Sequence, residues 1–465
     1  MSRPHYQLTR HPVGSISEIW NVSWPLIVGL MSASVMLFVD RLLLSRYSVD
    51  SLNAATSSGT AAYAVILLFM AIAAISEVFV GRFHGESRLT ELGKPVWQMI
   101  WFSILTTPFF LAAGFFLPPL IFQGSPLYHE ESSYFWMLMV YSPLFCLNVA
   151  LAGFFVGSGK MKVVTLFCLI ANVLNVLLDF ILIFGAGPIP PLGIKGAAIA
   201  TGTAEAVNIL GLSLLFFRRD MREKYGTAPQ PVDLPLMLQC INVGLPSAIL
   251  LTVEVAAHFS FFKILSFSGA LEWTVASMVQ SFYFLIMFLI DGLSRGVSTV
   301  SANLLGAKEP NYIPKVLRAA VTLQVLFSAL LLLFVCLFSD TIVDLFFNER
   351  DETLLSNTHF LTMAGNCFLL MSLFFLFFGI SRILTGHLTA ALDTRFLMKA
   401  GVGLIAGAYI LPVFGIVVFM QGGVEQAYLA LLLYSIICLI TYSIRYKSKF
   451  GVALQRRHEV HRQAP

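Results

Sequence analysis

Residues 218–235, RRDMREKYGTAPQPVDLP, are the longest hydrophilic insert in the chain, with apolar runs on both sides. A helix needs about 20 mostly apolar residues to cross the hydrocarbon core. On that rule six spans precede the insert, near 16–46, 52–81, 96–122, 133–157, 163–186 and 194–217. Six more follow it, near 236–262, 272–294, 313–339, 354–381, 396–420 and 424–444. The organisation expected is a tail (1–15), an N-lobe (16–217), a linker (218–235), a C-lobe (236–446) and a basic tail (447–465). The runs are continuous and not ten-residue alternations, which excludes an outer-membrane barrel.

Composition agrees. Hydrophobic residues make up 57% of the 465 and charged residues only 12%, against about 25% charged in a soluble domain. The net charge of +4 is no nucleic-acid signature, because topology places the basic residues. With the N-terminus inside, 24 of the 29 Lys and Arg fall on the cytoplasmic side, Arg295 and Arg382 among them at loop edges. Arg41, Arg46, Lys195, Lys263 and Arg350 fall outside. Both termini are therefore expected in the cytoplasm, as for a multi-pass protein of the cytoplasmic (inner) membrane. Cysteines 146, 168, 240, 336, 367 and 438 show no CxxC or metal spacing and read as packing residues.

The halves resemble each other. WPLIVGL (24–30) aligns with LPSAILL (245–251), setting Pro25 over Pro246. VGRFHGESRLTELGK (80–94) aligns with SANLLGAKEPNYIPK (301–315), setting Gly85 over Gly306 and Lys94 over Lys315 at the same offset of 221. Both repeats have six spans and begin on the same side. The fold class expected is thus all-α integral membrane, twelve transmembrane helices in two pseudo-symmetric parallel six-helix bundles. Two such bundles can rock around a cleft, the geometry of a carrier. No filter-like loop or acidic ring suggests a channel.

Polar residues within spans carry a desolvation cost and are the functional candidates. In span five Asn172, Asn175 and Asp179 fall at i, i+3 and i+7, on one helix face. In span six Ala197, Thr201, Glu205 and Asn208 share a face. Asp40 lies near the outer end of span one, in SVMLFVDRLLLSRYS (34–48), and Asp179 and Thr201 lie at similar depth. Asp40, Asn175, Asp179 and Thr201 together offer a hard-cation (Na⁺) ligand set or a proton-binding network. Asn and Thr also bond helices together in membranes, at about 0.6 kcal/mol each, but two carboxylates at one depth are harder to explain that way. Two like charges in an apolar site cannot both ionise cheaply, so one is expected to hold a proton. In span seven Glu254 and His258, at i and i+4, can hydrogen-bond along one face. Asp291 and Arg295 in span eight read as a structural ion pair near the cytoplasmic end.

These residues resemble the multidrug and toxic compound extrusion (MATE) family over nearly the whole chain. WPLIVGLMSASVMLFVD is similar to its span-one pattern, with Pro fifteen residues before an Asp. NVLLD followed by GIKGAAIAT is similar to spans five and six, GLPSAILLTVE to span seven of NorM-like members, and AALDTR (390–395) to the loop after span ten. The resemblance implies an N-lobe cation site at Asp40, Asn175, Asp179, Ala197 and Thr201, and a C-lobe acid at Glu254. It also implies export of organic, often cationic, compounds in exchange for H⁺ or Na⁺. Two departures stand out. Span ten, AGNCFLLMSLFFLFFGISRILTG, lacks the Asp usual in NorM-like members, leaving Glu254 to act alone or with His258. Arg41 follows Asp40; it either snorkels to the interface or approaches Asp40 and weakens proton binding there.

The function expected is a secondary active multidrug efflux antiporter, with the coupling ion (H⁺ or Na⁺) in place of any cofactor. Its partners are small organic substrates and membrane lipid, not nucleic acid, and a duplicated bundle can work as a monomer. The alternative is a lipid-linked precursor flippase, which predicts a strongly basic cavity where these sites are mainly acidic. An enzyme would need an HExxH or a Ser/His/Asp set within the spans. GSGK (157–160) lacks P-loop spacing.

Overall fold

The computed structural model describes residues 8–265, 267–346 and 358–451. Among them, twelve helices are long and apolar enough to cross a membrane. They are α1 Ile16–Tyr47, α2 Val49–Gly85, α3 Leu89–Ile121, α4 Tyr128–Gly157, α5 Met161–Phe184, α6 Ile194–Phe216, α7 Leu234–Leu265, α8 Leu271–Gly306, α9 Pro310–Phe338, α10 Thr358–Ala390, α11 Thr394–Phe419 and α12 Val424–Gly451. Apart from an isolated bridge between Ala186 and Ile189, the regular structure described is helical. Phe38, Phe115, Phe116, Leu120 and Phe419 are all exposed, an apolar exterior that suits hydrocarbon and not water.

The spans overlie those expected, with the largest differences at two ends. Helices α8 and α10 run on to Gly306 and Ala390, where the apolar count stopped at 294 and 381. Hydropathy falls at Asp291, Arg295 and Arg382, but a helix does not end for that reason. Asp291 therefore lies about four turns before its helix end, and Arg295 and Arg382 are interior to helices, not at loop edges. Arg3, Arg350, Arg456, Arg457 and Arg462, with the tail from 452 and the segment 347–357, lie outside the described residues.

Breaks have local causes. Helix α2 divides at Ala74 and Ile75 into Val49–Ala73 and Ser76–Gly85. In α11 two π-helical stretches, Ile405–Ile410 and Gly415–Phe419, flank Pro412, which has no N–H for the ladder. Pro25 and Pro246 sit inside α1 and α7, each removing a ladder bond and offering a bend.

The chain divides into two compact units. One holds Leu8, Val28–Thr252 and Ala302–Lys308; the other holds Thr9–Ile27, Val253–Ser301 and the described residues from Glu309 onward. Both α1 and α7 change unit shortly after these prolines, α1 after Ile27 and α7 after Thr252.

In the first unit the hydrophilic insert is ordered. It forms a short helix, Arg219–Tyr225, ended by Gly226 in the left-handed conformation (φ 61°). The strand of chain that follows is strapped to α3: Trp97 Nε1 donates to Thr227 O at 3.2 Å and Trp101 Nε1 to Gln230 O at 3.0 Å. Gln98 clamps both ways, donating to Pro231 O at 3.2 Å and accepting from Asp233 N–H at 2.8 Å. Gln98→Ala would strand two backbone groups at about 1–3 kcal/mol each. The expected result is faster limited proteolysis within 226–233, with the rest of the chain intact.

The same unit holds a close approach of the ends of α2 and α8. A Cβ on Gly85 would overlap the Asn303 carbonyl oxygen, and one on Gly306 would overlap the Arg82 carbonyl oxygen. Asn303 Nδ2 also meets His84 Nδ1 at 2.8 Å.

Candidate functional site

In the first unit the site is built on the α5–α6 hairpin. Helix α5 ends at Gly185, whose φ of 81° is open to glycine, and the turn closes with Leu192 N–H on Leu182 O at 2.9 Å. This return brings the polar faces of α5 and α6 together. Asn175 Nδ2 donates to Thr201 Oγ1 at 3.4 Å, and Thr201 Oγ1 donates to the Ala197 carbonyl at 3.0 Å. Asn175 and Asp179 are fully buried and Ala197 nearly so.

Helix α1 completes the site. Asn172 Nδ2 donates to Ser32 Oγ at 2.6 Å, and Cys168 Sγ lies 3.8 Å from Gly29 O, which fixes α1 along α5. Further along the same seam, the buried carboxyl groups of Asp40 and Asp179 lie close to each other. Ionised carboxylates carry acceptors only, so the two can bond to each other only when one of them holds a proton. Arg41 is exposed, yet its charge still acts on Asp40, so its two expected placements are not exclusive. Leu43, Leu44, Ala54, Ile183 and Ile194 form a buried apolar cluster beside the pair. Tyr134 of α4, packed on that cluster, lies close to both carboxyls. Sequence reasoning missed it, because a single Tyr in an apolar run carries no periodic signal.

Glu205 and Asn208 continue the α6 face. Asn148 of α4 lies near Glu205, and Asn208 is buried. Neither is bonded in the described contacts to the Asp40–Asp179 pair.

The second unit differs from expectation. Glu254 and His258 do not bond to each other. Both Glu254 oxygens instead take Arg382 Nη1 of α10, at 3.3 and 3.2 Å. Arg382 Nη2 reaches Asp291 Oδ1 at 3.2 Å, so Asp291 has Arg382 as its partner in place of the neighbour expected at 295. A full guanidinium charge outcompetes a neutral imidazole for a buried carboxylate. His258 lies between two tyrosines, with Nε2 3.5 Å from Tyr283 OH and Nδ1 3.4 Å from Tyr409 OH. Tyr409 stacks on Tyr434 with centroids 5.0 Å apart. Arg382 was the decisive residue overlooked. The signal was present: it stands between apolar neighbours in FFGISRILTG, thirteen residues before Arg395.

Comparison with known proteins bears on what these sites belong to. The chain is 23% identical over 378 residues to "Probable multidrug resistance protein YoeA" of Bacillus subtilis, covering 79% of each chain. It is 24% identical over 415 residues to "Probable multidrug resistance protein NorM" of Brucella suis, covering 85% of this chain and 86% of the relative. The crystal structure of a MATE protein in complex with MaL6 superimposes with a TM-score of 0.86 at 15% identity, over 98% of this chain and 100% of that one. The MatE family model matches twice, over residues 25–181 and 246–412, and the two starts are separated by the repeat's own offset of 221. With most of its length matched in this way, the chain belongs to the MatE family of membrane transporters.

Proposed function

We propose that this protein is a secondary active efflux antiporter that exports organic compounds, often cationic, in exchange for H⁺. The observation that carries the choice of ion is the close approach of the buried Asp40 and Asp179 carboxyls. Two carboxyls so placed can share a proton, whereas Na⁺ would have to part the two groups and collect oxygens from Asp40, Asn175, Asp179 and Thr201. Relatives named as multidrug resistance proteins support the substrate class. The acidic character of the first unit's site disfavours lipid-precursor flipping.

In this reading Asp40 and Asp179 load one proton from outside. Loading halves the negative charge of the pair, weakens its attraction for a bound organic cation, and lets α1 settle against α5 and bend near Pro25. Release of the proton inside restores the charge and the affinity for drug. Exchange requires only that proton and drug favour different states or compete for one. The same reading places the protein in the cytoplasmic membrane as a functional monomer with both termini inside, needing no resident cofactor.

The test is wild-type protein in proteoliposomes loaded with a fluorescent organic cation. A pH gradient, acid on the side equivalent to the exterior, is expected to drive export, and a Na⁺ gradient at fixed pH is expected to do nothing. Export driven by Na⁺ alone would replace the ion, and export driven by neither would sink the antiport.

A further inference from the structure

The proton mechanism leaves an ion triad in the second unit unused. The side chains of Glu254 and Arg382 are 16% and 21% exposed, whereas Asp291 at 43% is half in solvent. The buried part is therefore a neutral pair, and the surplus negative charge sits on the solvated member. A carboxylate among apolar helices needs a positive partner, which in a carrier is either a mobile ion or a fixed side chain. Here one nitrogen of the guanidinium engages both Glu254 oxygens and another holds Asp291. The backbone at Arg382 is pinned as well, since Ser294 Oγ donates to its carbonyl at 2.7 Å. A guanidinium keeps its charge at any working pH, so this partner does not titrate away. A mobile cation would have to expel it or sit beside a like charge.

We propose that Arg382 is the resident cation of the second unit: a tethered guanidinium that occupies Glu254 and Asp291 and bars exchangeable cations from them. The second unit then supplies no coupling ion, and one exchange cycle moves the single ion held by the first. Glu254 serves as the counter-ion of Arg382 and is dispensable once that charge is removed too.

Two measurements test this. The first is the melting temperature of purified protein in detergent, in Na⁺ against N-methylglucamine at equal ionic strength. The background is Asp40→Asn, which disables the first unit's site. The parent and Arg382→Lys are expected to show no Na⁺ shift. Arg382→Gln frees two acids and should gain a few degrees in Na⁺, a gain lost again in Arg382→Gln/Glu254→Gln. A parent stabilised by Na⁺ through Glu254, or Arg382→Gln without a gain, overturns the proposal.

The second is efflux from proteoliposomes with Asp40 intact. Glu254→Gln leaves a buried guanidinium half-paired and should lower export at least about tenfold, while Glu254→Gln/Arg382→Gln should recover to within about threefold of wild type. A double variant as impaired as Glu254→Gln would make Glu254 a coupling acid and end the proposal. The melting arm reads cation occupancy without transport, so it stands even if the proton antiport itself fails.

Discussion

Asp40→Asn is expected to lower pH-gradient-driven efflux by about 100-fold or more, equivalent to about 2.7 kcal/mol, while the purified protein still folds. In the wild type the bond between Asp40 and Asp179 closes only when one of them carries a proton. An amide at position 40 donates to Asp179 permanently and so imitates the loaded state without a proton to lose. The exchange step, in which arriving drug ejects a proton or an arriving proton ejects drug, then has nothing to move. Asp179→Asn is the mirror image and should fail to the same extent. Counting protons with a pH dye on drug addition separates this from general damage: about one released per drug in the wild type, none in either variant. Efflux within about threefold of wild type in Asp40→Asn would remove the pair from the mechanism and leave it as a bond between α1 and α5.

The parts of this picture that were readable from sequence are those governed by one-dimensional rules. Helical periodicity put Asn172, Asn175 and Asp179 on one face, and that face does meet α1 and α6, at Ser32, Asp40 and Thr201. The rules misled where a residue's partner is chosen in three dimensions. Glu254 and His258 have the right spacing to bond, but each found a better partner on another helix, Arg382 for the acid and Tyr283 with Tyr409 for the imidazole. Arg382 was assigned to the membrane edge because a cation near the end of an apolar run looks like a topology signal. Only the continuation of α10 to Ala390 shows that it lies inside. Tyr134 lacked any local mark, since its place beside the two carboxyls follows from how α4 packs.

The largest stability effect is expected at the glycines of the repeat. Gly85 and Gly306 are 221 positions apart, and so are the residues they press against, Arg82 and Asn303. Gly85 lies on the Asn303 carbonyl and Gly306 on the Arg82 carbonyl, so one contact is made twice, with the roles of the two sequences exchanged. The obstacle in each case is backbone and not the end of a flexible side chain, so a new side chain can be accommodated only by parting α2 from α8. Overpacking usually costs about 1–3 kcal/mol, and a backbone obstacle belongs at or above the top of that range. Gly85→Val and Gly306→Val should therefore each destabilise by about 3 kcal/mol or more, and by similar amounts, measured as a fall in melting temperature and in monodisperse yield. Because either substitution alone opens the seam, the double variant should cost clearly less than the two added together. A tolerated substitution at one site beside a severe one at the other would mean that the duplication, plain in sequence, does not extend to the energetics of this contact.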